Sequence, residues 1–268
     1  MLIVSARKIL INRYSIWLSL YTKILTLGTK ITPYNKDKNT KKEQVTKMFD
    51  AIAGRYDFLN HFLSLGIDIV WRKIAVREIA KINPKMILDV ATGTGDLAIE
   101  ASRLKPKKVI GVDISNNMLY VGRKKMKKKS LNKLVDMQFG DSENLNFKDN
   151  TFDAVTAGFG VRNFENLDKG LSEMCRVMKV GGKLAILEPA EPKIFPFKQL
   201  YGLYFKVILP LLGKLFSKDN SAYTYLPESV AAFPSRGAFI EELKKAGFKQ
   251  PKFKALTFGI AALYTATK

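Results

Sequence analysis

Apolar and polar positions alternate along this chain with two periods, and the change from one to the other divides it. Val45, Met48, Phe49 and Ile52 recur at helical spacing, and the same period continues over 58–65 and 69–82, with Gly66 interrupting it. This predicts a helical preface. Short apolar runs then occupy 86–91, 108–113, 135–140, 152–158 and 183–188, with amphipathic segments at 96–104, 116–129 and 167–179 between most of them. Strands alternating with helices predict a parallel, doubly wound α/β sheet. After Glu188 the rhythm changes. Residues 192–234 carry a strongly apolar run from Leu200 to Phe216 and a polar-aromatic stretch from Asn220 to Leu226, which predict a helical lid or substrate wall. A last helix follows at Gly237–Ala246, and alternating runs at 251–257 and 260–266 predict a terminal hairpin that adds an antiparallel edge to the sheet.

The most informative stretch is Ile87-Leu88-Asp89-Val90-Ala91-Thr92-Gly93-Thr94-Gly95, an apolar run ending in an acid and a Gly-x-Gly turn before helix-forming residues. A buried strand feeding a glycine loop and a helix is where such sheets bind nucleotide-like ligands. Glycine lets the backbone turn sharply and approach the ligand closely. A second run, Lys108–Asp113, ends in an acid about 20 residues after the loop, the spacing at which a carboxylate grips a ribose diol. Together they predict an adenosine-containing cofactor. Asp96 directly after the loop would repel a pyrophosphate, and no Gly-Lys-Ser/Thr follows the turn, so neither the dinucleotide fingerprint nor the P-loop fits. A cationic cofactor without phosphate, such as S-adenosylmethionine, suits the acids Asp89, Asp96, Asp113 and Asp141.

At 268 residues the chain holds one large α/β domain with room for a lid and a tail. The single cysteine, Cys175, cannot form an internal disulfide and reads as a buried thiol on a helix face, which implies a reducing cytoplasm. The single histidine, His61, leaves no Cys/His metal cluster and no Ser-His-Asp set, so no metal is expected. The net charge of +21 changes the picture more. One basic cluster, Arg123–Lys129, follows the second strand; it contains no aromatics and reads either as a solvated helix C-terminus or as a membrane-docking patch, rather than as a nucleic-acid site. The other is residues 1–36, which contain no acid and no stretch long enough to span a bilayer. Three readings of that segment stay open: a basic interfacial helix, a transit-like peptide, or sequence read from an early start codon. A polar, lysine-rich linker then sets the boundary between an extension, 1–40, and the main domain, 41–268.

Three blocks resemble one family of class I S-adenosylmethionine-dependent methyltransferases, that which C-methylates the quinone ring in menaquinone and ubiquinone synthesis. They are Lys47-Met48-Phe49-Asp50-Ala51-Ile52-Ala53-Gly54-Arg55-Tyr56-Asp57-Phe58-Leu59-Asn60 with Trp71-Arg72, the Gly-Thr-Gly-Asp loop, and Asp149–Asp153 through Phe159-Gly160-Val161-Arg162-Asn163 with Arg176–Gly182. The likeness covers about 40–268. Ala91-Thr92 stands where the family often has Ala-Gly, and Gly158 where a serine is common. The resemblance implies a seven-stranded, Rossmann-like sheet with its last strand antiparallel. It also implies cofactor contacts at Thr94, Asp113, Asp141 and Ser142, with the Gly93–Gly95 turn under the amino-acid moiety, and a prenylated quinol as substrate, demethylmenaquinol, with a ubiquinone precursor or another lipid acceptor as the alternative.

Carbon methylation of such a ring needs in-line placement and stabilisation of phenolate character. Arg162, just after the fourth strand, is the candidate for the second task; its alternative is a structural pair with Glu165 or Asp168. Tyr56 and Asp57 of the preface, and Tyr223 of the lid, are candidates to close over the head group, against packing or capping roles. The run 200–216 reads as a groove for an isoprenoid tail near a bilayer or as a core helix, and peripheral contact with the membrane is expected. Val161-Arg162-Asn163-Phe164 replaces the Asn/Asp-Pro-Pro-aromatic tetrapeptide of amino-group methylation, which argues against an RNA base as acceptor.

Overall fold

The computed structural model describes residues 31–34, 37–204, 207 and 221–268, with Thr32–Lys268 as one compact unit. Helix α1, Lys41–Ile52, starts at a capping box: Glu43 N–H donates to the Thr40 hydroxyl at 3.2 Å, and the Glu43 carboxylate accepts from Thr40 N–H at 2.8 Å. A 3-10 turn, Ala53–Arg55, leads into α2, Tyr56–Leu63, and Gly66 at φ 75° opens α3, Ile67–Ala80. The preface is thus helical, and α3 buries Trp71, Ala75, Val76 and Ile79 on one face of the sheet.

The strands are β1 Met86–Val90, β2 Lys108–Asp113, β3 Val135–Phe139, β4 Phe152–Gly158, β5 Met178–Pro189, β6 Lys249–Leu256 and β7 Ala261–Thr267. They form one seven-stranded sheet in the order β3-β2-β1-β4-β5-β7-β6. The first five run parallel, and β7 lies antiparallel between β5 and β6, as the hairpin reading requires. Helices α4, Asp96–Ser102, α5, Asn116–Lys128, and α6, Leu167–Val177, make the crossovers. Because β1 pairs with both β2 and β4, the strand order reverses at β1, and a crevice opens beyond the carboxyl ends of β1 and β4. One core layer packs Leu88, Val155, Phe152, Leu171 and Met174; the other packs Ile87, Leu97, Leu119 and Ala154 under α3.

β5 begins five residues before the expected Lys183, because Met178 already pairs with Phe152 ahead of a register shift. Cys175 is a buried free thiol on α6, with burial raising its pKa. The Arg123–Lys129 cluster differs from expectation at one position: α5 ends in a basic turn, but Lys125 points inward to ion pairs. Of the lid, α7, Phe197–Leu203, and α8, Ser221–Ala232, are helical; α9, Gly237–Lys245, follows. The readings of residues 1–30, of most of 200–216 and of the Tyr223 side chain lie outside the described residues.

Candidate active site

At the end of β1 the chain turns through Gly93 at φ 58° and Gly95 at φ 85°. At Gly95 the backbone favours glycine, and a Cβ would stand 2.5 Å from the Met126 methyl and 3.2 Å from Met137, so those side chains would have to shift to admit one. At Gly93 a Cβ would meet only Tyr56, at 3.9 Å, on the open side of the turn. Asp113, ending β2, accepts from Gly93 N–H at 2.8 Å and from Ser115 N–H at 2.9 Å. Burial raises its pKa and these amides oppose the rise. The acid is thereby fixed against the glycine turn.

A cleft beside this turn is lined by Gly93, Asp113, Asp141, Ser142, Gly158 and Asn163. Asn163 Oδ1 is buried there without a hydrogen-bond partner among the described residues, an acceptor that calls for a donor from a ligand. The lone basic group in the lining, among the described residues, is Lys42 of α1, which bonds Asp141 at 2.8 Å and Glu143 at 3.2 Å. Acids and an orphaned carbonyl fit a ligand carrying ammonium, hydroxyl and amino donors and no phosphate, which is the donor set of S-adenosylmethionine. Asp113→Asn is therefore expected to weaken binding of that cofactor roughly 10- to 100-fold, the loss of a hydrogen bond to a charged group. Titration calorimetry checks this, and unchanged affinity would move the ribose contact elsewhere.

Only two of the four acids singled out in the sequence line the cleft. Asp89 is fully buried and accepts from the Thr92 and Thr156 hydroxyls at 2.6 and 2.7 Å. Asp96 is paired with Lys125 and lies 3.7 Å from Arg72. Asp57 and Thr94 line neither this cleft nor the cavity next to it: the Thr94 hydroxyl donates to Asp57, which Lys125 holds at 2.7 Å. The helical phase that turns Tyr56 inward turns Asp57 toward α5.

The adjoining cavity encloses about 430 Å³ and is walled by α1, α2, α3, α7 and α8. Phe49, Tyr56 and Phe159 line both spaces, so the two share one wall. Among its mostly apolar groups sits Arg162. Its Nη1 bonds Glu188 at 3.0 Å and the Phe159 carbonyl, its Nε reaches Ser229 at 3.4 Å, and Nη2 has no acceptor among the described residues. Glu188 is fully buried at the end of β5 and also accepts from Val161 N–H at 2.7 Å. Burial raises the Glu188 pKa against the pull of Arg162. The arginine does pair with a carboxylate, though with Glu188 rather than Glu165 or Asp168. Sequence reasoning passed over Glu188, Lys42, Asn163 and Tyr225. For Glu188 the signal was present, an acid closing an apolar strand as Asp89 and Asp113 do; Lys42 and Tyr225 depend on how α1 and α8 dock, and Asn163 on the 3-10 turn Val161–Asn163 that follows β4.

The family model described as the ubiE/COQ5 methyltransferase family matches residues 37–268. A demethylmenaquinone methyltransferase of Bacteroides fragilis is 53% identical over 240 residues, 89% of this chain and 98% of the relative. One from Porphyromonas gingivalis is 45% identical over 241 residues, with 89% and 98% covered. Among solved structures, an S-adenosylmethionine-dependent methyltransferase from Thermotoga maritima matches at TM-score 0.55 and 20% identity, covering 83% of this chain and 99% of that one, and one from Aquifex aeolicus at 0.52 and 20%, covering 71% and 88%. At such identity these two speak to the fold, while the sequence matches establish that the chain belongs to the ubiE/COQ5 methyltransferase family.

Proposed function

We propose that this protein methylates the quinol ring carbon of a prenylated demethylmenaquinol, giving menaquinol as the last step of menaquinone synthesis. The observation that carries the reading is the pairing of an acid-lined cleft with a large, mostly apolar cavity across the wall of Phe49, Tyr56 and Phe159. S-adenosylmethionine supplies the electrophilic methyl group. The ring carbon that takes the methyl group would give up its hydrogen as a proton to water, and the cofactor would leave as a neutral sulfide. The protein's task is placement and charge. Gly93, Asp113, Asp141 and Ser142 hold the cofactor, Gly95 lines neither space and serves the turn, and Tyr56 closes the shared wall over the ring. Arg162 offers Nη2 to the ring oxygen whose phenolate character makes the neighbouring carbon nucleophilic. Asp57 and Thr94 act at one remove, tying the glycine loop to α5 through Lys125.

The test is methyl transfer from labelled S-adenosylmethionine to demethylmenaquinol and to its benzoquinol counterpart. Preferential labelling of the naphthoquinol is expected; preference for the benzoquinol would assign a ubiquinone precursor, and labelling of neither would overturn the reading.

With such a substrate the protein works at the cytoplasmic surface of a membrane, as a peripheral rather than a nucleic-acid-binding protein. Among the described residues no helix is long and apolar enough to cross a bilayer. Support for surface contact comes from two exposed apolar side chains: Leu65, which lines the cavity, is 85% exposed, and Phe195, two residues before the lining Phe197, is 80% exposed. Phe195→Asp is expected to lower partition onto anionic vesicles roughly tenfold while sparing turnover of a short-tailed quinol, by the scale of burying one aromatic side chain. Sedimentation with vesicles checks it, and undiminished binding would take Phe195 off the membrane face.

A further inference from the structure

We propose that the Tyr225 hydroxyl is a second donor to the ring oxygen served by Arg162, so that the two side chains together form the cradle in which phenolate charge develops. This rests on the quinol reading above. Tyr225 is 2% exposed, lines the 430 Å³ cavity, and its hydroxyl has no hydrogen-bond partner among the described residues. About nine in ten buried polar groups are partnered, so a buried phenol left unpaired at a cavity wall calls for a ligand atom to complete it.

The placement says which atom. Tyr225 and Ser229 are four residues apart on α8 and therefore share a face, and Ser229 accepts from Arg162 Nε at 3.4 Å. That face of α8 is thus turned to the arginine, and the phenol feels both Arg162 and Glu188. Glu188 is already engaged by Arg162 Nη1 and Val161 N–H, whereas Arg162 Nη2 has no acceptor among the described residues. The missing partner is an oxygen that accepts from a phenol while bearing negative charge beside a guanidinium, which is what a quinol hydroxyl becomes as it ionises. Burial pushes the Tyr225 pKa up to about 12, so it stays protonated at neutral pH and serves as donor, not base. A neutral donor and a cationic one then divide the work. Arg162 balances buried Glu188 and has limited charge to lend, and Tyr225 adds a dipole without adding another charge to desolvate.

Tyr225→Phe keeps the ring and removes only the hydroxyl. Because that group is unpartnered without substrate, melting temperature is expected to hold or rise, and S-adenosylmethionine affinity to stay unchanged. Turnover on demethylmenaquinol should fall roughly 10- to 100-fold, carried mainly by kcat, since the hydrogen bond strengthens as charge develops. The pH at which kcat/KM rises with quinol ionisation should also move upward, and a quinol acidified by a halogen substituent should recover most of the loss. A merely packed tyrosine would move neither readout. Wild-type protein that labels no quinol would overturn the functional reading; active wild-type protein with Tyr225→Phe unchanged in kcat and pH profile would overturn this inference alone.

Discussion

Arg162→Ala is expected to cost about 3–5 kcal/mol of folding stability as well as turnover, the penalty for leaving a buried charge without its partner. The arginine side chain is 8% exposed and Glu188 is fully buried, so removing the guanidinium strands a carboxylate that cannot reach water. Loss of activity in that single variant would therefore say little about chemistry. Arg162→Ala combined with Glu188→Gln separates the two, because a neutral amide removes the stranded charge and still accepts from Val161 N–H. The double variant is expected to recover most of the stability and none of the turnover. Arg162→Lys should retain part of both, since an ammonium balances Glu188 but lacks the fork that also reaches Phe159 and Ser229 and that we propose reaches the ring oxygen. Urea melts and single-turnover labelling measure the two quantities, and a double variant with near-normal turnover would remove Arg162 from the chemistry.

The same residue marks where sequence reading stops. Periodicity located the strands because a buried parallel strand needs an unbroken apolar run, and acids at strand ends flagged Asp89 and Asp113 because the ligand crevice lies there. That rule is local. It could not say that Asp89 turns inward to two threonine hydroxyls while Asp113 turns to the glycine amides, since the difference lies in where each sits along its strand, Asp89 beside Thr156 of β4 and Asp113 at the last position of β2. Nor could it pair Arg162 with Glu188 across 26 residues, or bring Lys125 from a run of solvated lysines to Asp57 and Asp96. Such contacts are fixed by how helices dock on the sheet. Tyr56 and Asp57 show the same limit at a single step, adjacent in sequence and roughly a quarter-turn apart on the helix, one in the cavity wall and one behind the loop.

Asp89 should make the protein less stable at neutral pH than in mild acid. Its pKa is pushed up to about 6 by burial, with the Thr92 and Thr156 hydroxyls opposing the rise. The unfolded chain holds this carboxyl near its ordinary 3.8, so between the two values the folded form binds the proton more tightly. Its stabilising contribution is complete below about pH 4 and is lost as pH climbs through 6. Above that, an ionised carboxylate in the core costs on the order of 3 kcal/mol, since each tenfold change in proton affinity between the folded and unfolded chain is worth about 1.36 kcal/mol. Asp89→Asn should remove that cost: the amide oxygen still accepts from one threonine, and the other hydroxyl turns to accept from its NH₂. The variant is expected to be more stable than the parent at pH 7.5 by up to about 3 kcal/mol, with the gap closing near pH 4. Urea melts across that range measure it, and a gap independent of pH would mean that Asp89 titrates as it does in water. The counterpart is expected at the cofactor. A negative charge beneath the glycine turn attracts a cation in the cleft above, so Asp89→Asn should bind S-adenosylmethionine more weakly while folding more tightly, the trade expected where a site holds a charge that the fold alone would discard.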